Sequence, residues 1–269
     1  MPTFGSWLPT MHELNVVTAL AGRDMLKFFR DPGRMITAVS FPFFMIFLLG
    51  GTLQLNLGPA AGFNFIGFTF TGFLGMTLFQ STAQGLTSLM DDRQNDFAQE
   101  IFVSPVSRYS IVFGKILGET AVAILQVLPM VLFAVVLRVP LTATALGLLV
   151  PVALLSCFMG GAFGLLLLNA MSDSRASNQI FNFVFLPQYF LAGLIAPINH
   201  LPWYLEALSL LSPMRYVIDL ARGVVFAGSR DYARVVLLSP VTNTAVLALM
   251  FAAFMVLGTT LFVRRETNR

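Results

Sequence analysis

Charge is scarce in this sequence, and that scarcity excludes a water-soluble fold. Asp, Glu, Lys and Arg make up 11% of the 269 residues and apolar residues 57%, against roughly 25% and 45–50% in ordinary soluble domains. No soluble domain of this size could hide so much apolar surface, so lipid is the solvent for most of the chain. Cysteine is almost absent. Cys157 stands alone, which excludes an intrachain disulfide or a cysteine metal cluster, and its apolar surroundings make it a packing residue. Histidine is limited to His12 and His200. His12-Glu13 lacks the second histidine one helical repeat later that a zinc protease needs, and neither histidine lies in an apolar run where it could serve an intramembrane serine nucleophile. No catalytic constellation and no metal site are expected. A phosphate-binding loop is missing too: Gly114-Lys115 has Tyr109 where a glycine is required and Ile116 where Ser or Thr is required. Any ATP would have to be bound by another polypeptide.

The net charge of +3 and pI near 9.4 do not point to nucleic acid. The basic residues sit at the ends of apolar runs, where membrane topology accounts for them. Met1 to Asn15 lacks the charged start, short apolar run and small-residue cleavage site of a secretory signal, so insertion is expected to rely on later segments.

What is abundant is phenylalanine, 27 residues, distributed through long apolar windows. About 20 apolar residues cross the hydrocarbon core as a helix. Such windows recur at Met35 to Leu53, Phe65 to Leu89, Ile111 to Leu137, Leu141 to Met171, Ser177 to Ala196 and Val241 to Val263. The expected fold class is an all-α polytopic membrane protein of six transmembrane helices, forming a single transmembrane domain over 1–269. Basic residues mark the inner side. With both termini cytoplasmic, the inner set is Arg23, Lys27, Arg30, Arg34, Arg93, Arg108, Lys115, Arg175, Arg264, Arg265 and Arg269. The outer set is Arg138, Arg215, Arg222, Arg230 and Arg234, so the count is eleven against five.

Three segments fall outside the spans. Residues 11–31 repeat apolar side chains at three- and four-residue steps (Leu14, Val17, Ala21, Met25, Phe28), with Arg23, Lys27 and Arg30 on another face. That pattern predicts an amphipathic helix lying in the membrane interface, stopped by Asp31-Pro32-Gly33. Residues 91–108 carry Asp91, Asp92, Arg93, Asp96 and Glu100, each costing about 2.5–3.5 kcal/mol at a bilayer centre, so the segment stands in water. Phe97, Ile101 and Phe102 keep helical spacing until Ser104-Pro105 ends the run, which predicts a cytoplasmic element shaped for a partner. Residues 197–240 hold Trp203 and Tyr204, suited to a membrane interface, then a stretch through Pro213, Tyr216 and Arg222. Two short helices dipping into or lying on the outer leaflet, as a re-entrant hairpin, are expected.

Ion-driven carriers place ionisable groups at mid-membrane depth. Here Glu119 lies about two turns into the third window and the others have none at their centres, which argues against a proton- or sodium-coupled carrier. Uncharged polar groups are present: Gln80, Ser81 and Gln84 in the second window, Asn178, Gln179, Asn182 and Gln188 in the fifth. They either join helices or line a passage. Gly160, Gly161 and Gly164 form a small-residue face for close helix contact inside the molecule.

The stretches Arg93 to Lys115 (RQNDFAQEIFVSPVSRYSIVFGK) and Leu201 to Arg222 (LPWYLEALSLLSPMRYVIDLAR), with Pro187, Gly193 and Pro197 between them, resemble the ABC-2 type transporter permeases. The order of elements is similar along nearly the whole chain. The resemblance implies a bacterial inner-membrane subunit of an ATP-binding cassette exporter moving an amphipathic drug, lipid or lipid-linked glycan. Its partners would be two cytoplasmic ATPase subunits and a second permease, identical or homologous, with no nucleic acid. This chain would carry no cofactor, ATP and Mg residing on the partner ATPase. Arg93, Asp96, Phe97, Glu100, Ile101 and Pro105 would receive the ATPase's motion; the hinge departs from the family pattern at Asn95-Asp96, where Gly-Thr is common. Gln80, Gln84, Asn178, Gln179, Asn182 and Gln188 are the candidate path residues, and Trp203, Pro213, Tyr216 and Arg222 mark the outer hairpin. The rivals are a membrane anchor that transports nothing and a secondary carrier.

Overall fold

Asp31 separates the first two helices and caps the second by accepting the Arg34 N–H at 2.9 Å. In the computed structural model, which describes residues 11–86, 108–169 and 174–267, α1 (Met11–Arg30) therefore ends where the Asp-Pro-Gly break predicts, and Pro32 opens α2 (Pro32–Met45). Proline is tolerated there because the first-turn N–H has no intrahelical acceptor. A π-turn at Ile46–Gly50 continues α2 into α3 (Gly51–Ala61). Gly62, with φ 68°, closes α3 in the left-handed conformation that glycine adopts without a Cβ penalty.

Asn64 starts α4 (Phe65–Gly85) by accepting the Gly67 N–H. The helices α5 (Arg108–Val136), α6 (Ala143–Leu168) and α7 (Ser174–Leu191) follow, Thr142 capping α6 through the Ala145 N–H. Two short helices, α8 (Trp203–Leu210) and α9 (Pro213–Val225), the single turn α10 (Tyr232–Val235) and the long α11 (Pro240–Thr267) complete the order. No strand occurs among the described residues.

Helix α4 is the hub, packed against α5, α6 and α9. The sequence permits this because α4 is rich in glycine and threonine, which let neighbouring backbones approach. The predicted small-residue face works inside the molecule: Gly160 faces the Phe79 carbonyl and Gly164 the Ala83 carbonyl of α4, and Gly161 meets Ile116 of α5. Around this contact Phe79, Phe163 and Phe185 pack with centroids 5.4 to 6.0 Å apart, each pair adding about 0.5–1.5 kcal/mol beyond area burial. Cys157 is buried, as a packing residue should be.

Among the described residues four helical segments are long and apolar enough to cross a membrane: Pro32–Gly58, Ile111–Val136, Ala143–Leu168 and Tyr232–Leu261. The second and fifth windows do form helices, α4 and α7. They fall outside this set for a physical reason: the glycines, threonines and glutamines of α4 make it less apolar, and α7 begins with the polar run SRASNQ.

The outer connection differs from expectation in its second half. Helix α8 exposes Trp203, Tyr204, Leu208 and Leu210, as an interfacial helix would. Every residue of α9 is buried. It lies inside the protein against α4, α6 and α11 rather than on a lipid surface, because its two arginines and its aspartate find their partners there.

Candidate functional site

Helix α1 is fastened to α5 by an ion-pair cluster. Lys115 Nζ lies 2.7 Å from Asp24 Oδ2 and 2.9 Å from Glu119 Oε1, with all three side chains about 2% exposed. Arg23 approaches Asp24 at 3.4 Å and Arg34 of α2 approaches Glu119 at 3.4 Å. Charges so far from water persist only when paired. Two glycines bring the backbones together: a Cβ on Gly114 would come 3.1 Å from the Val17 Cα, and one on Gly118 would come 2.9 Å from the Ala21 Cα. Gly114 and Gly118 thus form a small-xxx-small seat for α1. The apolar face of α1 is thus covered by α5. Leu20, Asp24 and Phe28 face α5, while Leu26, Lys27, Phe29 and Arg30 remain exposed.

Beside the cluster lies a cleft of about 380 Å³ between α2, α4, α5 and α7. Its walls alternate in character. Phe41, Pro42 and Met76 are apolar; Arg34, Thr37, Thr77, Gln80, Ser81, Gln84, Gln126 and Tyr189 are polar. Gln80 Oε1 accepts the Tyr189 hydroxyl at 2.8 Å, tying α4 to α7. The hydroxyl oxygens of Thr77 and Ser81 are buried with no hydrogen-bond partner, so they are open to a guest that offers one. Arg34 belongs to both places. It reaches Glu119 in the cluster and lines the cleft, with its guanidinium carbon 5.8 Å from the centre of the Phe28 ring.

Of the expected path residues, the structure brings Gln80 and Gln84 into this cleft. Gln188 is elsewhere, buried and accepting from the Ser212 hydroxyl at 3.2 Å, where it joins α7 to the start of α9. Gln179 and Asn182 are exposed on α7, and Asn178 belongs to the same helix with its side chain outside the described set. Arg93, Asp96, Phe97, Glu100, Ile101 and Pro105 lie outside the described residues. Asp24 and Gln126 escaped the sequence reading, and Arg34 entered it only as a marker of the inner side. Asp24 had a signal: spaced four residues from both Leu20 and Phe28, it shares their helical face, and an acid on an apolar face needs a buried cation.

The outer candidates form a second polar network. Arg222, 1% exposed, stacks its guanidinium 3.6 Å from the centroid of the Phe68 ring and donates to the Gly193 carbonyl at 2.6 Å. Asp219 accepts from the Leu237 and Leu238 N–H groups and from the Asn243 amide. Tyr216 donates to the Leu210 carbonyl and Arg215 to the Ser209 hydroxyl, which folds α8 back onto α9. Pro213 opens α9. Trp203 is 82% exposed and belongs to the surface of α8.

Residues 15–226 match the family model described as ABC-2 type transporter. The chain belongs to the ABC-2 type transporter family. The match runs from α1 through α9, so the cluster, the cleft and the Arg222 part of the outer network lie within it. Two relatives share the name "Putative transport permease ycf38". That of Cyanophora paradoxa is 26% identical over 208 residues, spanning 76% of this chain and 71% of the relative. That of Porphyra purpurea is 26% identical over 210 residues, with the same shares. The ABC-2 protein described here is accordingly a membrane transport permease.

Proposed function

We propose that this permease is the transmembrane subunit of an ATP-driven exporter in a bacterial inner membrane, moving an amphipathic drug, lipid or lipid-linked glycan. ATP and Mg are handled by two separate cytoplasmic ATPase subunits, and a second permease, identical or homologous, completes the path. The six expected spans are completed by α4 and α7, both termini are cytoplasmic, and α8 and α9 form the outer re-entrant hairpin. The whole chain is one transmembrane domain, with α1 an interfacial helix at its inner edge and 91–108 the coupling segment.

The observation that carries this reading is the double membership of Arg34. The cluster grips α1, the cleft offers mixed polar and apolar walls to an amphipathic guest, and Arg34 touches both. A push on the inner edge of α1 therefore has a charged route to the mouth of the cleft. The missing phosphate loop agrees with a separate motor. In the coupling segment Asp96 and Glu100 present charge to the ATPase, while Phe97, Ile101 and Pro105 shape its docking face.

Co-purification with an ATPase subunit, followed by reconstitution, tests the reading. Flux should require ATP, and reversing the charges of Asp96 and Glu100 together should leave assembly intact while separating hydrolysis from flux. Flux through the lone permease without ATP would overturn the proposal. Stable assembly with the ATPase but no flux of any amphipathic compound would favour a membrane anchor.

A further inference from the structure

A second cavity, of about 740 Å³, lies between α6, α9 and α11 and shares no lining residue with the cleft. Its walls are almost wholly apolar, with Leu148, Pro151 and Leu155 on α6 facing Leu220 and Val224 of α9. Gly223 forms part of the lining, and its close contact with the Pro240 ring keeps α9 and α11 together behind the groove. At one end the character changes. Ala227, Gly228, Ser229 and Tyr232 make the rim, and the Ser229 hydroxyl is a buried polar atom with no hydrogen-bond partner.

The depth of the groove defines its guest. Leu148 and Leu155 are five and twelve residues into α6. At about 1.5 Å per residue they lie about 8 and 18 Å along the helix, so Leu148 falls within the leaflet nearest the rim and Leu155 close to the midplane, since one leaflet of the hydrocarbon core is about 15 Å thick. A groove that opens sideways at this depth meets lipid tails. Just past Ser229 come Arg230, exposed, and, on α10, Arg234, which donates to the Gly62 carbonyl. The intervening Asp231 accepts the Asn64 N–H, and two arginines against one aspartate leave this stretch with a net charge of +1.

We infer that this groove is a binding site for a phospholipid of the surrounding bilayer, one acyl chain lying along α6 and α9 with its ester and phosphate at Ser229 and Arg230. The site is separate from the transport cleft and stands whether or not the export reading holds. It fixes α9, and through Arg222 the hub helix α4, to a lipid that crosses the rim.

The test uses the full-length permease in proteoliposomes with phosphatidylglycerol or phosphatidylcholine bearing a photoactivatable group in the acyl chain. Adducts should concentrate several-fold on the 148–155 and 220–232 segments relative to the exposed lipid-facing residues Phe183 and Leu249. Filling the groove with Ala227→Trp and Thr244→Phe should abolish that excess and leave labelling at Phe183 and Leu249 unchanged. Arg230→Glu should lower the phosphatidylglycerol signal more than the phosphatidylcholine signal. Circular dichroism and size-exclusion profiles check that each variant is folded. Adducts spread evenly over all lipid-facing helices, or an excess that survives in the filled variant, would overturn the inference. Displacement of the label by an exported compound but not by unlabelled phospholipid would assign the groove to cargo and overturn it equally.

Discussion

The Lys115 ammonium sits between the carboxylates of Asp24, on another helix, and Glu119, one turn along its own, at 2.7 and 2.9 Å. One cation thus serves two buried anions at short range. Replacing Lys115 by Met keeps the length of the side chain and leaves Asp24 and Glu119 only their longer contacts, with Arg23 and Arg34 at 3.4 Å. Breaking a buried pair costs about 3–5 kcal/mol, so the variant should unfold at markedly lower temperature in detergent. Lys115→Arg, which keeps the charge, should recover part of the loss. Equal melting of Lys115→Met and the wild type would show that the cluster does not hold α1.

Arg34 should behave differently. Its side chain is 41% exposed and its contact with Glu119 is long, 3.4 Å. Such a pair is worth about 0–1 kcal/mol, so Arg34→Ala should melt within a degree or two of the wild type. Its effect belongs to transport: apparent affinity for cargo or coupling to hydrolysis should change several-fold. A variant that transports normally would remove Arg34 from the path.

Two glycines separate a packing role from an intrinsic one. A side chain on Gly118 would collide with the backbone of α1 at Ala21, whereas Gly147 of α6 has nothing within 4 Å. Gly118→Val should therefore destabilise by about 1–3 kcal/mol through overpacking. Gly147→Ala should be neutral or stabilise by about 0.5–1 kcal/mol, since glycine weakens a helix interior. Thermal unfolding of the pair decides whether α1 is truly seated on α5.

The Arg222 site demands a plane as well as a charge. The guanidinium lies over Phe68 and reaches the Gly193 carbonyl at the same time. Lysine supplies the charge without the fork. Arg222→Lys should cost about 2–4 kcal/mol, from the charged hydrogen bond and the desolvated cation–π contact together. Phe68→Leu should lose the stacking part alone, about 2 kcal/mol, and the two losses should not add.

The helical membrane architecture was legible because long apolar windows admit few other solutions, and the Asp31-Pro32-Gly33 break falls where the sequence predicts. Local rules see one helix at a time. They found the amphipathic face of α1 but not that α5 supplies its cover, since that contact depends on Gly114 and Gly118 more than 80 residues away. Gly114-Lys115 was informative as a failed phosphate loop, yet its positive use, a flat seat beside a buried cation, needs the partner helix in view. The amides divided in the same way: Gln80 and Gln84 reach the cleft, whereas Gln188 is claimed by Ser212. Helix α9 read as interfacial from its mixed composition, because its charges are satisfied only by residues distant in sequence.

The π-turn at Ile46–Gly50 has a geometric consequence for everything after it. One residue more than an α-helical turn allows rotates the next stretch by about 100°, and that rotation aims Gln54 at the start of α4, where its side-chain oxygen accepts the Phe65 N–H at 2.8 Å. Deleting a single residue there would leave the segment as greasy and as helical as before, yet point Gln54 into the bilayer. The corner between the first span and the hub would then lose its latch, so the spare residue sets the angle at which the two helices meet.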